Sequence, residues 1–334
     1  METYSERLVA ALADHADVST LVLPGNADGS VPGAGALFGF GFRAAWRLGT
    51  GTRADVTHVG DMASWPLALV AALRGRSRPV AISAHGTDVA FARRSGWAPW
   101  AYRQYMWLGG RLLRGARVIA NSEATAEAAR ELGFATVSVV PLATDMVRQD
   151  PTPGTGPLLF PGRVARGKGL RWFVETVLPA LPENLRLQVA GTVWHSDEAE
   201  ALRHPKVEHL GRLDAADLAR AYASALAVIV PKITVPGGEM EGFGLVAVEA
   251  AAAGGVVIAS DHSGLKDAVL DGETGFKVPP GEPDPWIEKI AEIAAWTPAA
   301  RAAFVERASG TAARVYNWER VAADTFAAYG WCPR

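Results

Sequence analysis

An α/β protein made of two doubly wound units is the fold class this sequence predicts. Short β-rich runs alternate with helical periodicity along the whole chain, the pattern of parallel sheets covered by helices. At 334 residues the chain exceeds what one hydrophobic core usually supports, and 49% hydrophobic residues is enough for two. Midway, Asp150-Pro151-Thr152-Pro153-Gly154-Thr155-Gly156-Pro157 breaks every regular pattern, as a connector between domains does.

In the first unit, residues 1–150, β-branched and aliphatic runs predict strands at Val18–Leu23, Asp55–Val59, Val80–Ala84, Arg117–Ala120 and Val137–Val140. Helical spacing fills the intervals at about 3–14, 37–48, 63–74, 97–114 and 122–132. The second unit, from residue 151, repeats the alternation: Leu158–Pro161, a helix over about 168–181, Arg186–Ala190, Val207–Leu210, a helix over 214–224 and Ala227–Val230. An apolar helix after Gly244, the strand Val256–Ala259 and helices over 284–296, 298–308 and 317–329 complete it. In open α/β sheets ligands lie outside the carboxyl ends of strands, so two such units facing each other enclose a cleft.

Net charge is −2, from 33 basic and 35 acidic residues, and nothing global points to nucleic acid or an acidic polymer as partner. Residues 1–150 carry 15 Arg, no Lys and 13 Asp or Glu. A single cysteine, Cys332, excludes an internal disulfide and a cysteine-cluster metal site and fits a reducing, cytoplasmic setting. No secretory signal is visible, and the longest apolar run, Leu245 to Ser260, is interrupted by Glu249 and Gly254-Gly255, too short and too polar for a membrane span.

The tightest chemical constraint is the segment Glu241-Gly242-Phe243-Gly244-Leu245-Val246-Ala247-Val248-Glu249. From Leu245 to Ala253 every residue but Glu249 is apolar, so this helix belongs in the interior, where an ionised carboxylate without a partner costs several kcal/mol. A ligand hydroxyl pair is one such partner. Gly242 and Gly244 stand at the helix start, where bare backbone N–H groups and the positive end of the dipole form a seat for phosphate. Glu241 and Glu249 then flank a diphosphate, one toward each end of a nucleotide sugar; the bland alternative is a solvated surface Glu.

A basic turn, Gly162-Arg163-Val164-Ala165-Arg166-Gly167-Lys168-Gly169, follows the first strand of the second unit. Arg163 and Lys168 converge on phosphate in one reading, and in the other the turn is an exposed basic loop. His85-Gly86-Thr87-Asp88 ends the strand Val80–Ala84; His85 is placed to bond a sugar hydroxyl or phosphate and Asp88 to cap the following helix. Asn121-Ser122, after Arg117–Ala120, reads as a helix cap and nothing more. The glycines from Val31 to Gly39 resemble a dinucleotide fingerprint, but the third comes one position late and no acid is well placed on a following strand, so a dehydrogenase is discarded. No Asp-x-Asp triplet is present, and no divalent cation is expected. From Arg93 to about residue 114 arginines mix with Trp97, Trp100, Tyr102, Tyr105 and Trp107; this suits peripheral contact with a membrane face, or an amphipathic helix packed on its own sheet.

On His85-Gly86-Thr87-Asp88, Gly162-Arg163 with Lys168-Gly169, the Glu241 to Glu249 segment, Thr274-Gly275-Phe276-Lys277-Val278-Pro279 and Tyr316-Asn317-Trp318-Glu319, the chain resembles a GT-B glycosyltransferase of the retaining glycosyltransferase family 4, or glycosyl transferases group 1. The resemblance covers nearly the whole chain, most securely residues 155–330. It implies that Glu241 contacts the transferred sugar and Glu249 the ribose, and that Arg163 and Lys168 hold the diphosphate, assisted by backbone groups of Gly242, Phe243 and Gly244. His85 would line the reacting face of the sugar. It also implies same-face attack without a protein nucleophile or metal, a nucleotide-sugar domain over 151–312, and a final helix over 313–334 crossing back to the first domain.

Members of the family begin with a strand and a glycine-rich loop beside donor and acceptor, whereas this chain opens on the helical pattern Tyr4–Ala13. The first strand of the first domain is therefore expected to be absent, either because the coding start lies upstream or because the acceptor side is rebuilt. Two rivals stand beside a transferase acting in polysaccharide, glycolipid or natural-product assembly: a sugar-nucleotide binding or scaffold protein without turnover, and a nucleotide-sugar epimerase.

Overall fold

The computed structural model describes residues 2–23, 25, 33–75, 78–150, 152–234 and 240–330. The chain forms two compact units, one of Met1–Val140 with Trp318–Arg334, the other of Pro141–Asn317. The change of unit precedes the Pro/Gly connector. Residues 141–149 belong with the second unit because Thr144 N–H donates to the Tyr316 carbonyl and Gln149 N–H to the Ala253 carbonyl, each at 3.1 Å. The final helix, Trp318–Tyr329, belongs with the first.

In the first unit β1 (Thr57–Val59), β2 (Val80–Ala84), β3 (Arg117–Ala120) and β4 (Thr136–Val139) pair in parallel, in chain order. All five residues of β2 are buried, as expected for a strand covered on both faces. The segment Val18–Leu23 is not a strand: it pairs with no described strand, and Val18, Leu21 and Val22 are exposed. Its composition favours extended backbone, but strand propensity is realised only where a neighbour offers a ladder. Among the described residues no strand precedes β1, and the order of this sheet does not reverse. Part of the glycine-rich stretch Val31–Gly39 lies outside the described residues; from Ala34 it is a helix running to Thr50.

The second unit carries β5 (Leu158–Pro161), β6 (Leu187–Ala190), β7 (Val207–Gly211), β8 (Val228–Val230), β9 (Val257–Ser260) and β10 (Phe276–Val278), all parallel, in the order β10-β9-β8-β5-β6-β7. Winding runs outward from β5 through β6 and β7, then returns to β8 and proceeds the other way. Side chains alternate between faces with the period of a strand. Leu158, Phe160, Leu187, Val189, Ile229 and Ile258 enter one core with Trp286 and Phe304. Leu159, Val228, Val257 and Ala259 enter the other with Tyr222, Phe243 and Tyr316. The helix expected over 168–181 spans 170–180 but loosens to a π turn at Phe173–Val177. Pro179 accounts for this, since it lacks an N–H and its ring crowds the carbonyl four residues back.

Beyond β9 the turn Asp261–Gly264 grips the segment that holds Glu241. Ser263, with φ 50°, is the one described non-glycine residue at positive φ, and its hydroxyl donates to the Glu241 carbonyl at 2.9 Å; Gly264 N–H donates to the same oxygen at 3.1 Å. A Cβ on Gly264 would lie 2.4 Å from the Gly242 oxygen and 2.6 Å from Phe243 Cα. Gly264→Ala is therefore expected to cost about 1–3 kcal/mol through overpacking against backbone. A urea titration that left the midpoint unchanged would contradict this.

In the first unit His58 of β1 is enclosed between Tyr329 of the final helix and Ser83 of β2, with Nδ1 2.8 Å from the Tyr329 hydroxyl and Nε2 2.8 Å from Ser83 Oγ. Burial, and secondarily the nearby His85, lowers the imidazole from 6.5 to about 4. The unfolded chain thus takes up this proton at higher pH than the folded one. The contribution is complete above 6.5 and is lost as pH falls toward 4, by up to about 3 kcal/mol. Unfolding free energies measured across that range should fall less steeply in His58→Gln than in the parent.

Candidate functional site

The reversal of strand order between β5 and β8 brings the turns after two distant strands to one place, where open α/β sheets bind ligands. Gly169, with φ 82°, sits against Pro231, and a Cβ there would lie 1.7 Å from the Pro231 carbonyl oxygen. Ile233 N–H donates to the Gly167 carbonyl at 3.2 Å. These contacts hold the basic turn after β5 against Pro231-Lys232 after β8. The helix Leu245–Ala253 then starts at Gly244, with no side chain capping its first N–H groups.

Lys168 and Glu241, 73 residues apart in sequence, form an ion pair there, Nζ to Oε2 at 2.5 Å, with side-chain exposures of 22% and 17%. Burial alone would raise the Glu241 carboxyl. Attraction to Lys168 and Lys232, the hydrogen bond from Lys168 and the more distant Arg163 outweigh it, and the carboxyl is held below the ordinary carboxylate range. Glu241 is thus an ionised acceptor. The structure brings Lys168 to Glu241, next to Gly242 and Gly244 in the chain. Phe243 turns its ring into the core beside Tyr316, 6.0 Å between centroids, leaving only its backbone to the site. Arg163 lays its guanidinium over Trp194 at 4.1 Å, while its charge still acts on Glu241.

Glu249 lies on the helix Leu245–Ala253, and Tyr222, fully buried on the helix Ala215–Ser224, donates its hydroxyl to Oε2 at 3.3 Å. Burial raises the Glu249 carboxyl to about 7, against a smaller lowering by that hydrogen bond. The need for a partner was legible in the apolar helix. That partner in the folded chain is a tyrosine.

His85 stands at the carboxyl end of β2 in the first unit. Its Nε2 donates to the Gly60 carbonyl at 2.9 Å and its ring packs edge-on against Tyr4, 4.9 Å between centroids. Burial holds the imidazole below its ordinary value, and in the neutral ring Nδ1 carries the lone pair. Asp88 does not cap the short helix after Gly86. Its carboxylate accepts from the backbone N–H of His85 at 3.0 Å, Val89 at 3.1 Å and Met62 at 3.3 Å, fixing His85 to the turn after β1. The cap assigned to Ser122 is present, accepting from Thr125 N–H at 3.2 Å.

Four residues at the second-unit site were not singled out from sequence. Lys232 is 1% exposed and acts on Glu241; its one signal was a lysine two residues past an apolar strand. Ser263, Trp194 and Tyr222 had none, since each matters through a contact formed only on folding. Ser260, at the end of β9, buries a hydroxyl that has no hydrogen-bond partner among the described residues.

Residues 156–295 match the family model described as Glycosyl transferases group 1, and residues 1–148 match the one described as Glycosyltransferase Family 4. The D-inositol 3-phosphate glycosyltransferase of Pseudarthrobacter chlorophenolicus is 30% identical over 240 residues, 64% of this chain and 55% of that protein. The glycogen synthase of Mycobacterium tuberculosis is 29% identical over 314 residues, 85% of this chain and 70% of that protein. The chain spans about half the length of the first curated relatives it matches, 43%, 44% and 55%. Among solved structures, sucrose-phosphate synthase from Thermosynechococcus elongatus superimposes with a TM-score of 0.70 at 22% identity, covering 98% of this chain and 92% of the other. Anabaena Alr3699/HepE in complex with UDP-glucose gives 0.68 at 18% identity, covering 89% and 85%. Each half of the chain is matched by a glycosyltransferase domain model, and the whole shares the GT-B fold of these structures.

Proposed function

We propose that the protein is a retaining glycosyltransferase that moves a sugar from a nucleoside diphosphate sugar to an acceptor hydroxyl. The observation that carries this reading is the meeting of Lys168, Lys232 and Arg163 about one ionised carboxylate, Glu241, beyond the ends of β5 and β8. A diphosphate supplies the negative charge such a cationic set is built to receive, and the uncapped start of the helix after Gly244 offers it backbone N–H groups. Glu241, relieved of Lys168 as the phosphates approach, accepts from hydroxyls of the transferred sugar. Glu249 takes the ribose.

In this mechanism the acceptor oxygen bonds to the anomeric carbon on the face the diphosphate leaves. The bond from that carbon to the phosphate oxygen breaks, and the acceptor proton passes to the departing phosphate. Lys168 and Arg163 stabilise the charge that grows on the leaving group. His85 is the first-unit residue assigned to this reaction, through the lone pair on Nδ1. No metal enters the scheme. UDP-glucose, bound by the Anabaena neighbour, is the first donor to try.

A thermal-shift screen of nucleoside diphosphate sugars identifies the donor, because a ligand that binds only the folded state raises the melting temperature by mass action. A transferase then releases nucleotide faster with acceptor present. No release of nucleotide, with or without acceptor, would leave a binding protein, and isomerisation of free donor would leave an epimerase. Glu241→Ala is expected to lower transfer by at least about a hundredfold while nucleotide still binds; unchanged turnover in that variant refutes the assignment.

The Glu249 carboxyl gives a pH signature. Its folded value of about 7 exceeds the ordinary 4.5, so without ligand the folded state is favoured at low pH and loses this contribution as pH rises from 4.5 to 7. Ribose hydroxyls donate to the ionised form, so nucleotide affinity should rise as pH passes through 7. Calorimetric titration across this range should show that rise in the parent and its absence in Glu249→Gln.

A further inference from the structure

Between residues 34 and 114 of the first unit, eleven arginines and no lysine stand against three carboxylates, Asp55, Asp61 and Asp88. Two helices of the same stretch turn large apolar side chains outward. In the helix Ala34–Thr50, Phe38, Phe42 and Trp46 recur every four residues along one face and are 80%, 74% and 64% exposed, whereas the buried side holds Ala44. This inverts the usual arrangement, in which large apolar residues face the core. In the helix Trp97–Leu112, Trp97, Trp100, Trp107, Leu108 and Leu112 are exposed, while Pro99, Met106, Gly109 and Gly110 face inward.

The helix Trp65–Arg74 joins the two. Arg74 Nη1 donates to the Leu48 carbonyl at 2.8 Å, and the Trp65 ring lies 5.2 Å from that of Tyr105. Neither aromatic helix contains an acidic residue. Arg43 and Arg47 line a cavity of about 290 Å³ with Leu21, Val22 and Phe40, and Arg111 lies over the Trp107 ring at 4.9 Å.

We propose that this helix layer docks on the surface of an anionic lipid bilayer, its aromatic side chains entering the apolar boundary and its arginines meeting lipid phosphates. Charge selects this occupant. Two copies meeting through this face would set one arginine-rich surface against another, whereas an anionic bilayer supplies both the negative charge and the apolar layer. No described helix is long and apolar enough to cross a membrane, so the contact is peripheral. The inference stands apart from the transfer reaction and holds whichever donor is used.

Sedimentation of the full chain with vesicles of phosphatidylcholine, alone and with added phosphatidylglycerol, tests it. Capture by the anionic vesicles is expected, weakened about tenfold by Arg43→Gln with Arg47→Gln or by raised salt. Phe38→Ser, Phe42→Ser and Trp46→Ser together, with Trp97→Ser and Trp100→Ser added, should abolish it. These side chains are exposed, and an unchanged melting curve shows that the variants fold. Absence of capture, equal capture by neutral vesicles, or capture that survives all five aromatic substitutions overturns the proposal. So does a dimer in vesicle-free solution that the same substitutions split, which would assign the face to a second copy of the chain.

Discussion

Like charges do not gather in a folded chain without a counter-charge, and in the second unit that counter-charge is Glu241. Lys168 arrives on the turn after β5 and Lys232 on the turn after β8, neighbouring strands between which the winding of the sheet reverses. The 2.5 Å pair with Lys168 and the attraction of Lys232 keep the carboxyl ionised despite its burial. The backbone accommodates the pairing at Gly169, where the Pro231 carbonyl occupies the space of a side chain, and at the Ser263-Gly264 turn, which holds the Glu241 carbonyl with two donors. Breaking a partly buried pair by removing one partner leaves a desolvated charge, so the arrangement is stable only whole or with a ligand in place of the missing member.

The two carboxylates of the second unit show how environment separates identical groups. Glu241 and Glu249 lie on one short segment, and burial raises both. Cations surround the first and bring it below the ordinary range, whereas a single tyrosine hydroxyl only partly offsets burial at the second, which comes to rest at about 7. Spacing alone makes the pair look symmetrical about a diphosphate; the structure gives one a fixed charge and the other a charge that varies with pH and with what it touches.

Strands buried between two helix layers were the most legible part of the fold. Val80–Ala84 and Arg117–Ala120 follow from apolar runs alone, because every position in them meets a core or a neighbouring strand. Val18–Leu23 has similar composition and fails as a strand, since pairing is decided by a partner elsewhere in the chain. The change of unit escaped the sequence for the same reason: Pro and Gly mark where regular structure stops, but the hydrogen bonds of Thr144 and Gln149 fix which unit residues 141–149 join. At the site, glycine-flanked acids and basic turns could be read as short motifs. The Lys168–Glu241 bond spans 73 residues and the Tyr222–Glu249 bond 27, and no local pattern encodes either.

The two units differ in the cations they use. Every lysine lies beyond residue 150, while residues 1–150 use arginine alone. A compact ammonium at the end of a flexible stem fits the enclosed space beside Glu241, where Lys168 and Lys232 are mostly or wholly buried. A guanidinium is planar and weakly hydrated and stacks on aromatic rings, as Arg111 does on Trp107 and Arg94, at 5.9 Å, on Phe91. That chemistry suits an open surface of tryptophan and phenylalanine meeting many phosphates at once. In the second unit Arg163 over Trp194 and Arg307 over Phe304, at 5.3 Å, repeat the same stacking, and the Trp194 ring is exposed.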